Sequence, residues 1–149
     1  MPRIEKDFLG EKELPDGAYY GVQTQRGKDN FHITGIPMSA EPCFVQAFGY
    51  AKKAAAMANR DLGVLDAKVA GAIIGACDRL IAGEFRDQFV TDFIQGGAGT
   101  STNMNANEVI ANLALESLGH RKGEYQFVNP NDHVNFGQST NDMYPTAFR

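Results

Sequence analysis

Apolar residues recur at steps of three and four along residues 44–62, and a strand cannot accommodate that spacing. The stripe consists of Phe44, Phe48, Ala51, Ala55, Ala58 and Leu62. Steps of this size place all six side chains on one face of an α-helix, whereas strand side chains alternate with a period of two. We predict a helix with Ser39 as its N-cap, Pro42 in its first turn and Gly63 at its end.

Two further segments have the same period. One begins near Asp66 and stops at Gly83, and the residues predicted to face its core are Val69, Ile73, Ala76 and Leu80. Its internal Gly71 and Gly75 each cost about 1 kcal/mol relative to alanine, which predicts close packing against a neighbour. The other begins just after the stretch 95–109 and stops at Gly119, with Ala106, Ile110, Leu113 and Ser117 as its predicted inner face.

The first 36 residues lack this helical period. Pro15-Asp16-Gly17 is a turn signal, and Ala18–Val22 favours extended structure. We therefore predict short strands and turns over residues 3–36, and a mainly α fold with a short β-hairpin at its N-terminus.

Charge and composition exclude several classes of function. Fourteen basic against eighteen acidic residues, with no large basic cluster, argue against a nucleic-acid or membrane-surface partner. No apolar run approaches the roughly 20 residues of a membrane span, and the first residues do not resemble a signal peptide, so we expect a cytoplasmic protein. Cys43 and Cys77 have no metal-ligand spacing, and Cys77 is expected to be a small buried apolar residue.

The stretch QGGAGTSTNMNANEV, residues 95–109, is rich in neutral hydrogen-bond donors and has Glu108 as its only charge. It follows Phe93–Gln95, predicted to be extended, and its glycines lead into a helix. Such a helix start can bind an anion, because free N–H groups and the helix dipole point the same way. The known phosphate motifs do not fit, since no Gly-Lys-Ser/Thr follows and Thr102 stands where a dinucleotide fingerprint needs glycine. Alternatively, Ser101, Thr102 and the asparagines are only helix caps.

A second donor cluster, Gln138-Ser139-Thr140-Asn141, also lies at a predicted helix start, after a polar loop over residues 129–135. Two neutral clusters suit a small carboxylate, which they bind without lowering its basicity as much as lysine or arginine would. They could also strengthen their hold on negative charge that develops during a reaction.

The histidines and the end of the chain give weaker indications of function. His32 and His120 are expected to be solvent-facing or structural, and His133 has no evident partner. The last segment resembles a helix start with Pro145 in its first turn and has no stop signal before Arg149. From this pattern we expect the chain to be part of a longer protein.

Three segments resemble the aspartase/fumarase family. They are GGAGTSTNMNANEVIAN at residues 96–112, NPNDHVNFGQSTNDMYPTA at 129–147 and IEKDFLGEKELPDGAYYGVQTQR at 4–26. The resemblance covers nearly the whole chain. Ala98, Ser101 and Ser139-Thr140-Asn141 are similar to its ammonia-lyase members, whereas its fumarases more often have GSGTQTNMN, QSSND and a histidine at the position of Asn129.

The resemblance implies reversible anti elimination of ammonia from L-aspartate to give fumarate, through a doubly charged aci-carboxylate and without cofactor chemistry, and it assigns no metal ligand to this chain. It implies that Thr100, Ser139 and Thr140 hydrogen-bond the β-carboxylate and that Asn141 faces the amino group. In the family, a serine base on a mobile loop, a lysine, an asparagine and a Thr-His pair lie beyond the region corresponding to residue 149. This chain is therefore expected to carry no catalytic residue and to be inactive alone.

By the same resemblance, residues 1–140 form the family's N-terminal domain and residues 141–149 begin its central helical domain. The rest of that domain, a long helical bundle, is missing from this sequence. The whole protein would be a homotetramer acting on a small-molecule substrate. Two alternatives remain open: a class II fumarase, and an anion-binding module without chemistry.

Overall fold

Helices dominate the computed structural model, which describes residues 2–149 and confirms the mainly α prediction. Its one sheet is an antiparallel hairpin of β1 (Arg3–Asp7) and β2 (Gly10–Leu14), in which Arg3 pairs with Leu14. The helices are α1 (Val22–Asn30), α2 (Pro42–Asp61), α3 (Ala67–Ile81), α4 (Thr100–Ser117) and α5 (Thr140–Phe148). Short 3₁₀ turns cover Met38–Ala40 and Arg86–Gln88, and a π-helical turn covers Pro130–Val134.

The bounds of α2 and α3 agree well with prediction. Pro42 is the first residue of α2, and Gly63, just past its end, has a left-handed φ of 72°. Asp66 caps α3 by accepting hydrogen bonds from the N–H groups of Lys68 and Val69. The prediction for Ser39 is wrong, because Ser39 lies in the 3₁₀ turn before α2 and Glu41 occupies the N-cap position.

The prediction of close packing at Gly71 and Gly75 is wrong, because the close approach between α3 and its neighbour α2 lies at another glycine. A Cβ at Gly49 would lie 2.9 Å from Ile81 Cγ1, so the close approach of the two helices is at Gly49. Gly71 and Gly75 are exposed and would meet nothing within 4 Å. The buried face of α2 is also rotated: Leu62 is 75% exposed, and the buried positions are Val45, Phe48, Gly49, Lys52 and Ala56.

Helix α4 is the centre of the core. Every residue from Asn105 to Leu115 is buried, so Ala106, Ile110 and Leu113 are interior as predicted, while Ser117 is exposed. The helix begins at Thr100, inside the donor-rich stretch rather than after it. Because α1, α3 and α5 all pack on α4, its amide and carboxylate side chains reach the surrounding elements.

Helix α1 and its start were not predicted. The segment expected to be extended, Ala18–Val22, forms no strand, and Val22 already begins the helix. The buried Glu108 carboxylate on α4 accepts hydrogen bonds from the N–H groups of Gly21 (2.8 Å), Gln23 (2.8 Å) and Thr24 (3.0 Å), which caps α1 from a distant part of the chain. A Cβ at Gly21 would lie 2.8 Å from Glu108 Cδ, so this close approach requires glycine.

Removal of the Glu108 carboxylate should therefore destabilise the protein strongly. Glu108→Ala leaves three backbone donors of α1 without their acceptor, and each unpaired buried donor costs about 1–3 kcal/mol. We expect the free energy of unfolding in urea to fall by at least about 3 kcal/mol. Glu116→Ala on the same helix is the control, because Glu116 is exposed and its change should cost under about 1 kcal/mol. Equal losses in the two variants would show that Glu108 does not cap α1.

Within residues 2–149, no helix is both long and apolar enough to cross a membrane. Cys77 is buried, as predicted, and burial raises the pKa of its thiol to about 12.

Candidate functional site

A glycine turn leads into α4, as the sequence predicts. Gly97 and Gly99 have φ values of 73° and 89°, which favour glycine. A Cβ at Gly99 would lie 2.1 Å from Tyr144 Cδ2, so the turn lies directly against α5. The turn therefore brings the starts of the two donor-rich helices together.

At the start of α4, one threonine is buried in a structural network and another is exposed. Thr102 is buried, its N–H donates to Gln95 Oε1 at 2.9 Å, and its hydroxyl contacts both the Gln95 amide and Thr91 Oγ1. Thr102 is thus a buried structural residue, but the alternative that it is a helix cap is wrong, because the side chain of Gln95 accepts from its N–H. Thr100 is exposed, and the N–H groups of Thr100 and Ser101 have no acceptor within the described residues.

The second donor cluster forms the start of α5. Ser139 is its N-cap, and its Oγ accepts from the N–H of Asn141 at 3.2 Å. Ser139 and Asn141 are exposed, and Thr140 is half-buried. Pro145 lies in the second turn of this helix rather than in the first, because α5 begins at Thr140.

A hydrogen bond joins the two helix starts. Asn103 Nδ2 on α4 donates to Thr140 Oγ1 on α5 at 3.1 Å. Thr100 lies three residues before Asn103 and hence on the same face of α4. A cleft of about 280 Å³ between the glycine turn and α5 is lined by Asn141 and Tyr144, but not by Thr100, Ser139 or Thr140.

The histidines play local parts. His133 has a partner that the sequence did not reveal, because its Nδ1 accepts from the N–H of Asn129 at 2.9 Å within the π-helical turn. His120 stacks on Phe127 with ring centroids 3.8 Å apart, which fits the expected structural part, and His32 is exposed.

A buried lysine lies behind the second donor cluster, and sequence reasoning missed it. Lys52 has no exposed surface, and its Nζ donates to Asn135 Oδ1 at 3.0 Å and to Gln138 Oε1 at 2.8 Å. Burial lowers the pKa of this ammonium group to about 7. Its place four residues after Phe48, on the buried face of α2, was the signal that could have revealed it.

Asparagines of α4 complete this network. Asn103 Nδ2 and Asn107 Nδ2 donate to the same Asn135 Oδ1, at 3.1 and 3.2 Å. Asn105 bonds instead to the backbone of Val90 and Gln88. These asparagines are therefore buried tertiary contacts rather than helix caps. No group of three or more His, Cys, Asp or Glu side chains among residues 2–149 could hold a metal ion.

Comparison with known proteins places this geometry in a family. Residues 10–149 match the profile of a family described as Lyase. The chain is 59% identical to an aspartate ammonia-lyase of Helicobacter pylori and 60% identical to one of Pseudomonas aeruginosa, in each case over 99% of this chain and 31% of that protein. It thus spans about a third of the length of these relatives.

Two solved structures also superpose closely on this chain. A fumarate lyase:delta crystallin from Brucella melitensis bound to cobalt superposes with a TM-score of 0.97 at 53% identity, over 99% of this chain and 32% of that one. A class II fumarase from Schistosoma mansoni superposes with a TM-score of 0.91 at 39% identity, over 99% of this chain and 31% of that one.

Proposed function

Because the chain belongs to this lyase family, we propose that the protein carrying it eliminates ammonia reversibly from L-aspartate to give fumarate. The observation that supports this most is the meeting of two neutral donor clusters at one place, where Asn103 of α4 bonds Thr140 of α5 at 3.1 Å. The ammonia-lyase assignment rests on identities near 60% to aspartate ammonia-lyases, against 39% to the class II fumarase.

The proposed elimination needs neutral hydrogen-bond donors of this kind. Loss of a β-proton from L-aspartate places a second negative charge on the β-carboxylate before ammonia leaves. Neutral hydroxyl and N–H donors favour the carboxylate most when that charge develops, which accelerates the reaction rather than merely binding the substrate. We assign this part to Thr100, Ser139 and Thr140, and contact with the amino group to Asn141, which lines the cleft.

The remaining machinery would come from outside these residues. The resemblance implies a serine as the general base and assigns no residue of this chain to that role. We propose that the whole protein is a cytoplasmic homotetramer in which helices from other subunits close the site. The domain boundary after residue 140 also stays a prediction. Helix α5, which begins there, packs on both α2 and α4.

A kinetic assay of the full-length protein tests the proposal. Fumarate formation is followed by absorbance with L-aspartate and, separately, with L-malate as substrate. We expect turnover of L-aspartate and no more than trace turnover of L-malate. The reverse preference would identify a fumarase, and no turnover of either would favour a binding module without chemistry.

Asn141 gives a prediction specific to the amino group. Asn141→Ala should raise KM or lower kcat for L-aspartate so that kcat/KM falls about tenfold or more, since a lost hydrogen bond to a charged group is worth about 1.5–3 kcal/mol. Inhibition by succinate, which lacks the amino group, should change by less than about threefold. Equal losses for both compounds would mean that Asn141 only shapes the start of α5.

A further inference from the structure

The buried lysine fixes the orientation of a side-chain amide next to it. A lysine amino group donates hydrogen bonds, and an amide presents an oxygen that accepts and a nitrogen that donates. Lys52 Nζ lies 3.0 Å from one end of the Asn135 amide, so that end must be Oδ1. The Asn135 Nδ2 group then donates to the Gln138 carbonyl at 3.1 Å, which agrees with this orientation.

The orientation of Asn135 determines the next amide. Asn103 approaches Asn135 Oδ1 at 3.1 Å and must present its Nδ2 group there. The same Nδ2 lies 3.1 Å from Thr140 Oγ1, so Asn103 donates and the Thr140 hydroxyl accepts. The hydroxyl hydrogen of Thr140 is then not engaged by Asn103.

We propose that Lys52, acting through Asn135 and Asn103, orients the Thr140 hydroxyl so that its hydrogen is donated outward to the carboxylate of the substrate. Lys52 is thus a positioning residue for the reaction proposed above, on which this inference rests. The relay consists of Lys52, Asn135, Asn103 and Thr140.

The unpaired oxygens of the network support this polarity. Asn103 Oδ1 and Asn107 Oδ1 are buried and have no hydrogen-bond partner among the described residues. Rotating either amide by 180° would place its oxygen against Asn135 Oδ1, which already accepts from Lys52. Buried polar groups are usually paired, so two unpaired oxygens are a cost of this orientation, and a donor-only Lys52 next to Asn135 Oδ1 accounts for it.

The ammonium form of Lys52 enforces the relay, because it can only donate hydrogen bonds. Burial lowers the pKa of this group to about 7. A neutral amine keeps two N–H groups for Asn135 Oδ1 and Gln138 Oε1, but its lone pair would also allow it to accept from an amide N–H.

A double-mutant cycle in the full-length protein tests the relay. Asn103→Asp keeps the shape of the side chain but turns the donor into an acceptor, which would draw the Thr140 hydrogen inward. We expect kcat/KM for L-aspartate to fall about a hundredfold in Asn103→Asp and in Thr140→Val, and the double variant to be within about threefold of Thr140→Val alone. Independent losses that multiply to about ten-thousandfold would overturn the proposal.

Asn107→Asp is the charge-matched control. It places the same carboxylate one turn further along α4, against the same Asn135 oxygen, at a position that makes no hydrogen bond to Thr140. We expect it to lower kcat/KM by less than about tenfold. A loss as large as that of Asn103→Asp would show that added charge, and not the hydroxyl orientation, explains the effect.

Lys52→Met separates positioning from stability. Methionine removes the buried charge but leaves Gln138 Oε1 without its donor, so we expect a modest fall in Tm together with a loss of at least tenfold in kcat/KM. Lys53→Met is the matched control, since Lys53 pairs with Asp78 near the surface, and it should lose less than twofold. Full activity in Lys52→Met would overturn the relay.

Failure of the proposed function would be recognised separately. A wild-type protein that turns over neither L-aspartate nor L-malate would refute that function alone. Neutron diffraction of the wild-type crystal would still test the relay, because it locates the deuterium on Thr140 Oγ1. We expect that deuterium to point away from Asn103, and a deuterium directed at Asn103 would contradict the relay without reference to any substrate.

Discussion

Replacement of Thr140 by valine is expected to lower kcat/KM for L-aspartate by about a hundredfold. Valine keeps the shape of threonine and removes only the hydroxyl, and one preorganised donor to a developing oxyanion is worth about 3 kcal/mol. The loss should appear mainly in kcat, because the hydroxyl binds most strongly after the β-carboxylate has gained charge. Steady-state kinetics of the full-length protein measures it.

Thr146→Val is the control for this change. Thr146 is an exposed residue of the same helix, six positions beyond Thr140, and its replacement should change kcat/KM by less than twofold. Ser139→Ala should lose a similar hundredfold, but Ser139 is also the N-cap of α5, so that variant loses about 1 kcal/mol of stability as well. Unchanged kinetics in Thr140→Val would make Thr140 an ordinary first residue of a helix.

Gly99→Ala should disrupt both the site and the fold around it. The residue has a φ of 89°, and an added Cβ would lie 2.1 Å from the Tyr144 ring. A left-handed conformation and overpacking each cost about 1–3 kcal/mol. We expect the free energy of unfolding to fall by at least about 3 kcal/mol, and kcat/KM to fall at least a hundredfold because the two helix starts are forced apart.

Gly97→Ala measures the effect of backbone strain without the contact with Tyr144. Gly97 lies in the same turn with a φ of 73°, but its Cβ would meet only Thr100 Oγ1, at 3.9 Å. It should therefore show the conformational cost alone, about 1–3 kcal/mol. Adding Tyr144→Ala to Gly99→Ala should restore part of the lost kcat/KM. Equal effects of the two glycine changes would refute the close approach of the turn to α5.

Local signals in the sequence were enough to locate most helices. The stop glycines Gly63, Gly83 and Gly119 all adopt positive φ beyond the ends of α2, α3 and α4. Asp66 caps α3 with its own side chain. These features act within a few residues, which is why spacing and residue type predict them.

Features fixed by distant residues were not predictable. The start of α1 depends on Glu108, more than 80 positions away, and no residue pattern near Gly21 predicts that cap. The burial of Lys52 likewise depends on Asn135 and Gln138. A lysine on a helix with an apolar stripe is normally expected to face solvent. The predicted buried face of α2 therefore excluded Lys52.

The site was predictable in its parts but not in its assembly. Glycines and hydroxyls marked the starts of α4 and α5 as two donor clusters that suit one small carboxylate, but spacing alone did not show which residues bring the two starts together. Their meeting depends on the contact of Gly99 with Tyr144 and on the Asn103–Thr140 hydrogen bond, both of which join segments about 40 residues apart. No single-sequence pattern encodes such a pairing.

The most direct test of the account is a crystal structure of the full-length protein with succinate bound. Succinate has both carboxylates of the substrate and cannot react. We predict one carboxylate within hydrogen-bond distance, about 2.7–3.2 Å, of Thr100, Ser139 and Thr140 at the starts of α4 and α5. Succinate bound with full occupancy at a place that touches none of these residues would contradict the account.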